Sequence, residues 1–323
     1  MSAAPVTSNR YSLELDGLRA FAILSVMVYH ARNISSPGDA SIETTLYGIS
    51  EGGWIGVDLF FVLSGFLITG ILLDAKASPS YFKGFYVRRA LRILPLYYIV
   101  VAVAFVAVSV GITSGTTDAA PYYVGYVQNW LKLSSGYRVE ILAHFWSLAI
   151  EEQFYIVWPL LVFVVPRRWS VALCVVFLIG SCVGRYACVE TGLLEAETTY
   201  YLTPIRMDGL ALGGLIAALV RTPHGSSVLR RAWIPSLALG AGIVVAIVLT
   251  TEGLRHEDRL VTLWGFLPIS LACGALVTAT FVLPEQGRYR TLLRTPALRW
   301  IGRVSYGAYV FHCKSSQRPV VTA

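Results

Sequence analysis

Arg19 and His30 stand eleven residues apart in the run LDGLRAFAILSVMVYHARN, Leu15 to Asn33. At 3.6 residues per turn that is three turns and a little more, so both side chains share one helix face, about 16 Å apart along the axis. The rest of the run is mostly apolar. A titratable side chain at membrane depth is costly unless it faces a protein interior or a wet cavity. A His in such a cavity can take a proton from an acceptor hydroxyl, or carry an acyl group itself. An Arg or an acid on the same wall can orient or polarise a donor carbonyl. The structural alternative is that Arg19 snorkels to the interface and His30 ends the helix near the outer headgroups.

A second run, HFWSLAIEEQFYIVWPLLVFVV from His144 to Val165, carries more such groups. Read as one helix, it puts His144 and Glu151 on a single stripe, with Tyr155 one turn beyond Glu151. Glu151 and Glu152 cannot both face lipid, so at least Glu151 is expected to meet a polar interior. Asp58 opens another apolar run and reads as an acid near the outer leaflet. Arg89 and Arg92, in FYVRRALRILP, share a face at i, i+3. Guanidinium groups bind phosphate bidentately, and a nucleotide or coenzyme A offers phosphates. Each group has a structural alternative. The arginines could only hold topology and meet anionic lipid. The acids could form ion pairs that set helix register, with Arg206 and Asp208 pairing with other buried charges. Acid–base chemistry and a proton-coupled transporter need the same buried Arg, His and Glu.

The elements that must position these groups are membrane helices. The 323 residues are 55% hydrophobic and 14% charged, with mean hydropathy +0.62. That composition excludes an ordinary soluble domain and fits an all-α polytopic transmembrane bundle. The net charge of +7 would suggest nucleic acid in a soluble protein, but the loops explain it better, and no nucleic-acid partner is expected. The five cysteines show neither disulfide nor metal spacing; they read as small buried hydrophobes, and no metal is expected. No cleavable signal peptide is evident.

Residues 1–11 read as a polar leader. Further runs cover Gly53–Leu73, Ile93–Gly111, Ser170–Cys188, Pro204–Val220, Trp233–Thr251 and Leu260–Leu283, making eight spans in all. Pro95 is expected in the first turn of its helix, where the missing N–H is harmless. Ser64–Gly65 is expected to let helices approach closely. The even-numbered loops hold fifteen Lys and Arg, the odd-numbered loops five. The positive-inside rule then places the N-terminus, the even loops and the Arg19 end in the cytoplasm. VSYGAYVFH, Val304 to His312, begins a ninth helix with about nine apolar residues, short of the ~20 that span. Residues 313–323 read as a polar tail, a truncation or divergence.

The motifs LDGLRAFAILSVMVYH, GVDLFFVLSGFLIT, FYVRRALRILPLYY, HFWSLAIEEQFYIVWP and IGRVSYGAYVFH follow in the order of the integral-membrane acyltransferase 3 family, which the chain resembles over residues 12–312. The resemblance implies O-acylation of lipopolysaccharide, peptidoglycan or other envelope and secreted glycans, with acetyl-CoA as donor at the cytoplasmic side of a bacterial inner membrane. It implies Arg19 and His30 as the family's Arg-x10-His pair, Arg89 and Arg92 as its Arg-x-x-Arg, and Glu151 and Glu152 as its acidic pair. His30, Arg19 and Glu151 are then the expected catalytic residues, and Arg89 and Arg92 bind acyl-CoA. Asp58, Glu152, His144 and Tyr155 support them. The acceptor would be a lipid-linked or envelope glycan reached beside membrane lipid. A glycan exporter with gating charges, or an inactive truncated product, are the rivals.

Overall fold

The computed structural model describes residues 13–31, 50–133, 139–251 and 253–312. Among them nine helices of thirteen residues or more form the architecture: α1 Leu13–Ala31, α2 Ile55–Ala75, α3 Tyr81–Ser109, α4 Trp146–Val164, α5 Ser170–Glu190, α6 Asp208–Val220, α7 Gly225–Thr251, α8 Phe266–Val282 and α9 Pro296–Phe311. The fold is an all-α bundle, as the hydropathy demanded. Six stretches are long and apolar enough to cross a membrane, those of α2, α3, α4, α5, α7 and α8.

Burial sorts these six. The apolar windows through α2 and α8 are each 72% buried, whereas those of α3, α5 and α7 are 22%, 17% and 11% buried. The first two form a centre with α1 and α6. The other three present their apolar sides outward, where a bilayer would cover them. Close approach at the centre depends on small residues. Gly65 of α2 lies against the Leu210 backbone of α6, and Gly213 of α6 lies against the Val62 backbone of α2. Neither position has room for a Cβ, so the expected close packing at Ser64–Gly65 is present.

Three expectations need correction. The third helix begins at Tyr81, so the basic residues Arg88, Arg89 and Arg92 are helical and Pro95 sits mid-helix. The polar turns extend it because proline removes only one intrahelical bond, that to the Leu91 carbonyl, leaving its neighbours intact. The sixth run makes a helix of only thirteen residues. That is about 20 Å long, short of a full span. The ninth helix starts earlier than expected, at Pro296, and packs along α1: Gly302 meets the Asp16 carbonyl and Gly17 meets the Leu293 backbone. The leader and the tail at 313–323 lie outside the described residues.

Ion pairs tie the ends that carry the basic loops. Glu14, at the start of α1, accepts from Arg290 Nε at 2.7 Å and Arg294 Nε at 2.8 Å. Arg221 holds Asp74 with two donors, at 2.8 and 2.6 Å. Lys76 Nζ donates to the Val162 carbonyl at 2.5 Å and also to that of Val165, filling orphan acceptors at the end of α4. Cys174 and Cys273 are buried free thiols, as expected of small hydrophobes, while Cys182 and Cys188 are half-buried. Cys313 lies outside the described residues.

Candidate active site

Arg19 from α1, Arg89 and Arg92 from α3, and Glu151, Glu152 and Tyr155 from α4 all line one cavity of about 100 Å³. The sequence places these groups on three separate helices; packing brings them together. The Arg19 Nη1 is 3.3 Å from Asp16 Oδ1, one turn earlier on α1. The Arg89 guanidinium lies over the Tyr155 ring, 5.2 Å from its centroid. Tyr155 in turn shares a hydrogen bond with Ser64 of α2, which fixes the ring beneath the cation. Tyr306 of α9 closes another side, its hydroxyl donating to the Ile93 carbonyl at 3.0 Å.

His30 lies elsewhere. It faces a second, larger cavity of about 730 Å³, lined also by Lys132, Glu140, His144, Tyr200 and His256. Arg19 and His30 therefore share a face of α1, as their spacing requires, but open into different cavities. Val57 and Tyr309 line both. The smaller cavity lies toward the start of α1 and the larger toward its end, and they are called the inner and the outer cavity below. His30 Nδ1 is 3.0 Å from the Val26 carbonyl. A carbonyl only accepts, so this contact assigns the proton to Nδ1 and leaves Nε2 as the basic nitrogen.

Two assigned supports do not join the inner cavity. His144 belongs to a 3₁₀ segment, Glu140–Phe145, ahead of α4. Seven residues place it about two turns, roughly 10 Å along the axis, from Glu151, so His144 lines the larger cavity and Glu151 the smaller one. Asp58 is fully buried in a charge network instead of lying at the interface. Arg206 reaches Asp58 at 2.8 Å and Asp208 at 3.2 Å, and Arg185 reaches Asp208 at 3.0 Å. The expected pairing of Arg206 and Asp208 with other buried charges is what holds Asp58. A lone carboxylate at that depth would be too costly to keep ionised.

The structure adds residues that spacing did not single out. Tyr309 and Ser147 meet at 2.5 Å through their hydroxyls. The His312 ring centroid lies 4.8 Å from that of His30 and 4.3 Å from that of His144. The only sequence signal was three polar or aromatic groups at i, i+3, i+6 in SYGAYVFH, a spacing equally usual for packing.

Two stacked cavities joined at a shared wall suit a reaction between a donor and an acceptor approaching from opposite ends. The model of the acyltransferase domain family, acyltransferase 3, matches residues 12–321. The chain belongs to that family. YrhL of Bacillus subtilis is 33% identical to this acyltransferase domain over 326 residues. The peptidoglycan O-acetyltransferase OatA of Listeria monocytogenes is 31% identical, and the O-acetyltransferase OatA of Staphylococcus aureus 29%. Each alignment covers 94% of this chain but 48%, 49% and 50% of the respective relative, so the chain spans about half their length. No solved structure matches. In this acyltransferase domain the two cavities share a wall at Val57 and Tyr309.

Proposed function

We propose that this membrane acyltransferase domain moves an acetyl group from acetyl-CoA to a sugar hydroxyl of cell-wall glycan, with peptidoglycan as the acceptor. One observation carries this function: α1 presents Arg19 to the inner cavity and His30 to the outer one, with a common wall between them. The acceptor class follows the name of the Listeria relative. The donor follows the chemistry of the inner cavity, where three arginines gather beside two acids. The fifteen Lys and Arg of the even-numbered loops support a cytoplasmic position for that side and for the N-terminus.

Arg89 and Arg92 hold the coenzyme phosphates with forked donors. Arg19 stabilises the negative charge that develops on the thioester oxygen. Glu151 and Glu152 on the facing wall keep the three guanidinium groups from repelling one another. In the outer cavity His30 Nε2 takes the proton of the sugar hydroxyl as that oxygen attacks the acetyl carbon. The C–S bond breaks, the ester forms, and the coenzyme leaves as a thiolate that receives the proton.

The test is transfer by the purified chain in lipid nanodiscs, using acetyl-labelled acetyl-CoA and a soluble peptidoglycan fragment. Label should reach the glycan with wild type and not with His30→Ala, at equal melting temperature. Transfer at wild-type rate by His30→Ala would overturn the role of His30. No labelled glycan with wild type would overturn the donor and acceptor assignment.

A further inference from the structure

Three histidines from three elements converge at the outer cavity: His30 at the end of α1, His144 before α4 and His312 at the end of α9. His312 does not itself line the cavity. Its ring sits against both others, at 4.8 Å from His30 and 4.3 Å from His144 between centroids. The His312 Nδ1 is 2.5 Å from the Tyr309 carbonyl, which can only accept. That contact puts the ring proton on Nδ1 and the lone pair on Nε2. Nε2 is buried and has no hydrogen-bond partner among the described residues. A buried nitrogen lone pair without a donor is costly, and such exceptions in a native fold call for a function. His30 is held in the same tautomer by the Val26 carbonyl. Two imidazoles, each basic at Nε2, thus lie in ring contact, one on the cavity wall and one behind it.

Resting on the assignment of His30 as the base, we propose that His312 is a positioning residue whose ring, packed on His30, stabilises the imidazolium formed when His30 removes the proton of the acceptor hydroxyl. The balance is simple. The O–H bond breaks as the new C–O bond forms, the proton resides on His30 Nε2 beside the neutral His312 ring, and it leaves with the thiolate when the C–S bond breaks. One proton suffices, because two imidazolium rings at this separation would repel. His144 and Tyr309 face the pair from the elements packed on it, and Tyr29 stacks edge-on against His30 at 5.1 Å. Across the outer cavity stand Lys132, Glu140, Glu197, His256 and Glu257. Lys132 is 3.9 Å from Glu197, and His256 is 2.8 Å from Glu257, so those charges are met locally.

The experiment combines kinetics with histidine NMR on the full chain, which has five histidines. In wild type, His30 and His312 should titrate as a coupled pair in two steps. In His312→Gln, His30 should titrate in a single step. The same variant should lose kcat by about 10–100-fold with KM for acetyl-CoA within about twofold, and its pH–rate profile should change shape. Added imidazole should restore part of the rate of His312→Ala. Independent one-step titrations in wild type, or unchanged kcat and pH profile in His312→Gln, would overturn the proposal. Should neither protein transfer acetyl while the rings still titrate as a pair, the acyl-transfer assignment fails and the coupling of the two rings stands.

Discussion

The Tyr309 hydroxyl donates to the main-chain carbonyl of His144 at 3.0 Å, across 165 residues of sequence. With the Ser147 hydroxyl 2.5 Å away, this contact ties α9 to the entry of α4 at the wall between the two cavities.

Removing that tie should loosen the wall. Tyr309→Phe keeps the ring and deletes only the hydroxyl. Loss of one buried hydrogen bond costs about 0.5–1.5 kcal/mol, so a small drop in melting temperature is expected. The more telling outcome is chemical: hydrolysis of acetyl-CoA without acceptor should rise, because water reaches the donor through the weakened wall. An unchanged background hydrolysis rate would show that Tyr309 is only packing.

The buried charge network gives a second expectation. Arg206→Met removes the cation between Asp58 and Asp208, both fully buried. Breaking a buried pair by deleting one partner costs about 3–5 kcal/mol. The variant should fail to give a monodisperse peak in detergent. Asp58→Asn, which retains an acceptor for Arg206, should be milder. Thermal melting of the two variants side by side measures the difference.

Helix approach supplies a third. Gly65→Ala and Gly213→Ala each drive a methyl group into the backbone of the partner helix. Overpacking of this kind costs about 1–3 kcal/mol. Gly180→Ala is the control, because that position faces open space. The first two should melt below wild type and the third at the same temperature or above it.

Donor binding gives the fourth. Arg89→Lys and Arg92→Lys keep the charge and lose the planar fork. KM for acetyl-CoA should rise about tenfold in each, a loss of about 1.4 kcal/mol of binding, with kcat little changed. Unchanged kinetics would assign both residues to topology.

Much of this protein is legible without coordinates because membrane helices are local objects. Apolar runs mark themselves by length and composition, so α1, α2, α4, α5 and α8 lie close to where hydropathy puts them. The shared face of Arg19 and His30 follows from helical periodicity alone, and the motif order identifies the family. Helix boundaries were harder where a polar face continues an apolar one. The basic turn from Tyr81 to Arg92 belongs to α3, yet its charges read as a loop. His144 and Glu151 part for another reason: two turns along the axis lie between them, and spacing alone does not say where one cavity ends and the next begins.

What only the tertiary structure decided is which groups meet across the sequence. Asp58 and Arg206 are separated by 148 residues, and nothing local in either segment names the other. Their pairing is enforced by the cost of a lone charge in a low-dielectric interior, which acts only once the helices have packed. The division of one polar face of α1 into two cavities also depends on α4 and α9 closing around it. His312 joins His30 because Gly302 lets α9 approach α1 closely enough to bring the two helix ends together.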